Sequence, residues 1–330
     1  MIEVKNVTKK YGSTIAVDNI SFYVKDGEVV GFLGPNGAGK STTMNMITGF
    51  IEPTNGQIII NGNDISKKPR KAKREIGYMP ENIPLYYELT AKEFITYMAE
   101  LKMVKRNERK QEVEKVINEM GLDEVQNKLI RNLSRGYKQR VSMAGALVGN
   151  PDVIILDEPT VGLDPKQISD IRNLIKELGK KHTVILSSHI LSEVSQICER
   201  VIIINKGKII AIDTPENLEK SARKKNGILV TVEDGKSHMN NLKDKISEID
   251  EIKLIKDNED GTKQYLITSS SEIDLRKKLF EILPKEEIVI FELKKSETTL
   301  EDAFIKLIDT SKETDKKSEI DNNKKEGGKK

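Results

Sequence analysis

The chain has 330 residues, 37% hydrophobic and 32% charged, enough for one large domain and a small one, each with its own core. Its 55 Lys and Arg against 52 Asp and Glu leave a formal charge of +3, which gives no argument for bulk nucleic-acid binding, since that wants a dominant basic face. Cys198 is the single cysteine, excluding an intrachain disulfide or a multi-cysteine metal site, and no apolar run approaches the ~20 residues that span a bilayer.

The opening Met1-Ile2-Glu3-Val4-Lys5 lacks a signal-peptide layout, so any role at a membrane is expected to come through a partner. Residues 2–8 and 19–24 read as strands, with turns at Gly12 and Asp26-Gly27. Val29–Leu33 reads as a short strand ending at a glycine-rich loop, followed by a helix from about Lys40 to Thr48. Gln57–Ile60 before Asn61-Gly62 is a further strand with a tight turn. From Thr90 to about Gln126 the pattern is helical, with Phe94, Met98 and Leu101 on one stripe and Val113, Val116, Ile117 and Met120 on another. Strands at 152–156, 183–187 and 201–204, with a helix near 166–179, predict a mainly parallel sheet covered on both faces.

After about residue 222 the expected order is strand 228–232, helix 237–248, strands 251–256 and 263–268, helix 271–282, strand 287–294 and a last helix at 299–309. The β-α-β-β-α-β order is that of a ferredoxin-like α+β sandwich. Residues 311–330 hold one aliphatic side chain, Ile320, and are expected to be a disordered charged tail.

The strongest chemical signal is Gly34-Pro35-Asn36-Gly37-Ala38-Gly39-Lys40-Ser41, followed by Thr42, which satisfies the phosphate-loop pattern G-x-x-x-x-G-K-[ST] between a predicted strand and a predicted helix. The glycines let backbone N–H groups and the helix N-terminus close around phosphate. Lys40 is expected to reach the β- and γ-phosphates of ATP, and Ser41 to ligate Mg²⁺. Downstream, the apolar run Val153-Ile154-Ile155-Leu156 ends in Asp157-Glu158. A buried parallel strand delivers its carboxyl end to the ligand crevice, which places Asp157 to hold Mg²⁺, directly or through water, and Glu158 to polarise the attacking water.

With these residues in place, Leu133-Ser134-Arg135-Gly136-Tyr137 resembles the LSGGQ signature of ATP-binding cassette (ABC) ATPases, and Lys138-Gln139-Arg140-Val141 the start of the signature helix. The resemblance covers about residues 1–222. It implies an α/β P-loop NTPase core with an antiparallel β-subdomain and a helical signature subdomain at about 85–145, followed by the small α+β domain at 223–310. It further implies that Tyr11 stacks on adenine, that Val161-Gly162-Leu163-Asp164 is the D-loop, and that His189 contacts the γ-phosphate. Ser134 and the Gly136 N–H would meet ATP bound to a second ABC cassette, in a homodimer or a hetero-pair. His182 and His238 have no such context and read as surface residues.

The chain departs from the family pattern at two places. Glu81 stands where most cassettes have Gln; a carboxylate still ligates Mg²⁺, while adding negative charge beside the phosphates. Arg135 and Tyr137 replace Gly and Gln of the signature, and Arg135 either adds a charge-assisted contact to the γ-phosphate or points to solvent. Both departures, and the small C-terminal domain, resemble bacterial exporters. The implied function is an ATP-hydrolysing motor at the cytoplasmic face of the cell membrane, working with a separate transmembrane permease subunit and with no nucleic-acid partner. A soluble ABC ATPase acting on ribosomes or DNA is the alternative; the short stretch from Lys40 to Leu133, without a sustained heptad pattern, and the single phosphate loop weigh against it. The basic run from Lys67 to Arg74 is read as a solvated face.

Overall fold

In the computed structural model, alternation of apolar and polar residues near the N-terminus produces an antiparallel pair, β1 (Ile2–Tyr11) and β2 (Thr14–Val24). The second strand starts earlier than the apolar pattern suggests, because Gly12 (φ +58°) closes a tight turn that pairs Tyr11 with Thr14. After β3 (Val29–Leu33) and α1 (Lys40–Ile47) come β4 (Asn55–Ile60), the short β5 (Asn63–Asp64), α2 (Pro69–Arg74) and β6 (Ile76–Met79). The first sheet has the order β2-β1-β4-β5. The basic run lies on α2, where only Ala72 is buried and the Lys and Arg side chains face water.

The structure describes residues 1–82, 84–222, 226–233, 239, 242–258, 260–269 and 274–296. It divides into two compact units between Pro215 and Glu216.

In the first unit, α3 (Ala91–Leu101), α4 (Arg106–Glu119) and α5 (Arg135–Leu147) form the helical part. The pattern expected as one helical stretch from Thr90 is broken at Met103, whose φ is +58°. Thr90 and Glu93 make a reciprocal capping box at the start of α3. Ala91, Phe94, Ile95 and Ala99 form the buried stripe; Leu101 is exposed, since the helix ends there before its face can turn inward. Val113, Val116, Ile117 and Met120 are all buried.

The second sheet follows with β7 (Val153–Leu156), α6 (Pro165–Gly179), β8 (Thr183–Ser188), α7 (Leu191–Val194), β9 (Arg200–Asn205) and β10 (Lys208–Asp213). Its order is β10-β9-β3-β8-β7-β6. All pairings are parallel except β10 against β9. Every residue of β3, β7 and β8 is buried, as continuous apolar strands of a covered parallel sheet should be. One core joins both sheets through α1: Val4, Ile20 and Ile58 from the first, Phe32, Ile155 and Ile202 from the second, with Met44 and Ile47 between. The neighbouring parallel strands β3, β8, β7 and β6 therefore end at the same edge, which sets up the site.

The second unit begins within α8 (Pro215–Ala222). It contains β11 (Asn226–Glu233), α9 (Leu242–Lys245), β12 (Glu251–Asp257), β13 (Thr262–Ser269), α10 (Arg276–Ile282) and β14 (Val289–Ser296). The order β12-β13-β11-β14, all antiparallel, is the ferredoxin-like arrangement. Ile228, Val230, Val232 and Ile267 on one face of the sheet pack with Leu242, Ile246 and Leu279 from the helical segments. The helix expected at 299–309, the tail at 311–330 and His238 lie outside the described residues.

Candidate functional site

Four strand ends and one helix N-terminus converge on a cleft of about 440 Å³ lined by Pro35, Asn36, Gly37, Gly39, Lys40, Ser41, Thr42, Glu81, Glu158 and His189, with Ala16 and Val161. The phosphate loop joins β3 to α1, Glu81 follows β6, Glu158 follows β7 and His189 follows β8. Gly39 precedes α1 at φ +107°, and a methyl group there would stand 2.7 Å from the Ala16 carbonyl, so the loop approaches the β-sheet backbone as only glycine allows. Gly34 and Ala38 form the wall behind the loop: the Gly34 N–H donates to the Ser188 carbonyl at 3.4 Å and the Ala38 N–H to Pro35 at 3.1 Å.

Lys40 is 6% exposed and donates to the Gly34 carbonyl at 2.8 Å, with the Pro35 carbonyl at 3.4 Å. Its ammonium also lies 3.3 Å from Glu158 Oε1. The other carboxylate oxygen of Glu158 is 2.9 Å from His189 Nδ1. Glu158 thus stands between a fixed cation and an imidazole at the end of a buried strand. Its φ of +50° is unusual for a side chain of this size, and such strain is concentrated at functional sites. The Glu158 N–H donates to Ser187 Oγ at 2.9 Å, and Ser187 Oγ donates in turn to Asp157. Burial pushes the Asp157 carboxyl above its ordinary value and adjacent Glu158 adds to the push, against hydrogen bonds from Ser187 and Ser41 and the Lys40 charge.

Ser41 and Asp157 touch, and Glu81 shares the cleft, so three hard oxygen donors are grouped at the loop. Among the described residues no group of three His, Cys, Asp or Glu side chains stands ready to hold a metal. The hydroxyl of Ser41 and the carboxylates of Asp157 and Glu81 suit a hard cation that takes further ligands from phosphate oxygens. Burial, then the charges of Asp157 and Glu81, pushes the Tyr78 phenol well above its ordinary value, and its hydroxyl lies 3.2 Å from Asn45 Oδ1.

Within the chain, Tyr11, Ser134 and Gly136 are not among the residues that line this cleft. Tyr11 is half-exposed, with Lys9 Nζ 5.2 Å from its ring centre. Ser134 caps α5, accepting from the Tyr137 N–H at 3.4 Å, and Gly136 is buried against Gln167. His182, expected at the surface, is 4% exposed, because its Nδ1 bonds the Pro151 carbonyl at 2.7 Å just before β8.

Two links were not read from the sequence. Ser187 ties β8 to the Asp157-Glu158 pair; its only signal is a polar pair closing an apolar strand. Gln139 Nε2 donates to the Pro159 carbonyl at 2.6 Å, joining the signature helix to the turn after β7, and its only signal is a buried amide on the helix.

The family model described as "ABC transporter" matches residues 17–161. The bacitracin transport ATP-binding protein BcrA of Bacillus licheniformis is 36% identical over 310 residues, 93% of this chain and 97% of that protein. The chain belongs to the ABC transporter ATP-binding proteins. Another relative of this ABC protein, the linearmycin resistance ATP-binding protein LnrL of Bacillus subtilis (strain 168), is 40% identical over 219 residues, 66% of this chain and 70% of that one. Among solved structures, the cassette MJ0796, a dimer in a post-hydrolysis state with ADP and Pi, superposes with a TM-score of 0.59 at 30% identity, covering 65% of this chain and 98% of that one. The structure of cbiO1 from Clostridium perfringens, part of the transporter complex cbiONQ, gives a TM-score of 0.61 at 31% identity over 68% and 93% of the two chains. This ABC subunit is an ATP-binding ATPase motor of a transporter. Among its described residues no helix is long and apolar enough to cross a membrane.

Proposed function

We propose that two cassettes close head to tail over two ATP molecules and drive an exporter whose membrane-spanning part is a separate polypeptide. The observation that carries the reading is the division of the site. Lys40, Ser41, Glu81, Glu158 and His189 line one cleft, while Ser134 and Gly136 lie outside it at the N-terminus of α5. The partial positive charge of that helix end suits a phosphate presented by a second copy. The dimeric cassette among the similar structures supports the same pairing.

In this reading Glu158 accepts a proton from water as its oxygen attacks the γ-phosphorus, and the bond to the β–γ bridging oxygen breaks. Lys40 holds the phosphate oxygens, and His189 orients Glu158 and meets the γ-phosphate. Ser41 and Asp157, with Glu81 beside them, would hold Mg²⁺, which when bound neutralises phosphate charge. Tyr11 stacks on adenine. Loss of the γ-phosphate weakens the contacts that join the two faces, and the pair reopens.

The membrane partner is expected to dock near the loop at Glu81–Tyr87. Tyr86 and Tyr87 are half-exposed. The Arg131 N–H donates to the Tyr87 carbonyl at 3.2 Å, and Lys138 Nζ lies 5.3 Å from the Tyr87 ring centre, so this loop is tied to the signature helix. The peripheral location at the cytoplasmic face follows from that docking. Export rests on relatives named for linearmycin resistance and for lipopolysaccharide export. Affinity purification from detergent-solubilised membranes tests the reading: an integral membrane protein should co-purify with the chain. Recovery with ribosomes or nucleoid and never with a membrane protein would refute it.

A further inference from the structure

We propose that Arg135 is a positioning residue that clamps the D-loop of its own chain, so that the signature turn and the hydrolysis cleft move as one body. Arg135 is the first residue of α5, directly after the capping Ser134. Gly162, in the middle of the D-loop, has φ +70°, and a methyl group on it would fall inside the Arg135 guanidinium, against Cζ and both terminal nitrogens. The guanidinium therefore lies over the Cα of Gly162, a contact no other residue at 162 would permit. Among the described residues Arg135 forms no ion pair, so the fit is one of shape.

Other contacts join α5 to the segment that follows β7, among them Arg140 Nη2 to Asp170 Oδ2 at 3.7 Å. Gln139 Nε2 bonds the Pro159 carbonyl at 2.6 Å. Gly136 packs so closely on Gln167 that an added methyl would stand 3.0 Å from its Cδ. Around Gly162 the backbone hydrogen bonds of the D-loop are long, Val161 N–H to Glu158 O and Leu163 N–H to Thr160 O both at 3.3 Å, whereas Asp164 is fixed as the cap of α6 by the Gln167 N–H at 2.9 Å. The conformation at Gly162 therefore depends on what is packed against it. Val161, the neighbour of Gly162, lines the cleft beside Glu158 and His189. A displacement of the signature turn is thereby passed through Arg135, Gly162 and Val161 to the wall of the same chain's ATP site. In the paired cassette, the nucleotide of one copy would report to the cleft of the other through this contact.

This goes beyond the paired-cassette reading and rests on it only for the size of the effect on turnover. The test is a double-mutant cycle in the full chain with Arg135→Ala, Arg135→Lys, Gly162→Ala and the Ala/Ala pair, read by kcat, KM and Hill coefficient for ATP. Arg135→Ala and Arg135→Lys should both lower kcat about tenfold with KM nearly unchanged and a Hill coefficient falling towards one, because a lysine has no plane to lay on Gly162. The double variant should be no worse than the worse single one, since both remove the same contact. Amide exchange of residues 160–164, measured without nucleotide, should be faster in Arg135→Ala; this reading stands even where Gly162→Ala fails to fold, and is independent of pairing. Retention of kcat by Arg135→Lys would show that charge on the γ-phosphate is what matters. That outcome, multiplying losses in the cycle or unchanged exchange at 160–164 would each overturn the clamp.

Discussion

Lys102, at the end of α3, offers a test of how the signature helix is anchored. Its ammonium donates to the Ala146 and Val148 carbonyls at 2.5 and 2.9 Å, where the last turn of α5 lacks backbone partners. Burial pushes its pKa down from 10.5 to about 8, with the Glu112 charge acting weakly the other way. Between those values the unfolded chain binds a proton that the folded chain has released. The contribution of Lys102 to stability therefore rises with pH through this window and is at its lowest below it. The full displacement corresponds to about 3 kcal/mol, which the partial exposure of the side chain reduces to about 2 kcal/mol. Lys102→Met removes the titration and leaves the two carbonyls without their donor, a loss of roughly 1 to 2 kcal/mol. Urea unfolding of both proteins should give near-equal midpoints at about pH 7 and a wild type more stable than Lys102→Met by about 2 kcal/mol at about pH 10. A stability gap that is the same at both pH values would refute the reasoning.

Gly39→Ala should lose at least about tenfold in ATP affinity by equilibrium binding, because its methyl would press on the Ala16 carbonyl at φ +107°; Gly37→Ala, at φ +77° with open space around it, should lose clearly less. Equal losses would show that strain alone, and not the approach to the β-sheet, sets the cost. Thr90→Ala breaks the capping box of α3 and should destabilise the helical part by about 1 kcal/mol, seen as a lower melting temperature with the KM for ATP unchanged.

The grouping of the candidate site residues was legible because its signals are local. A strand, a glycine turn and Lys40-Ser41 need only a few residues of context, and the apolar run 153–156 announces both its burial and the direction in which Asp157-Glu158 must point. The order of the second unit was legible for the same reason, since its strands alternate cleanly around turns such as Asn258–Gly261. Contacts between distant segments were not. Nothing near residue 187 says that its hydroxyl bridges Asp157 and the Glu158 N–H, and nothing near residue 135 says that its guanidinium covers Gly162. His182 misled because no motif gives it a context in the sequence; only the fold brings the Pro151 carbonyl to its ring.

The central claim is that Glu158 activates water in a site completed by a second copy. Wild type and Glu158→Gln should be compared by size-exclusion chromatography with ATP alongside a hydrolysis assay. The variant is expected to bind ATP, to run as a dimer, and to turn over at least about a hundredfold more slowly than wild type. Hydrolysis by Glu158→Gln at the wild-type rate would move the water-activating role to another group, with Glu81 and His189 the nearest candidates in the cleft, and contradict the account.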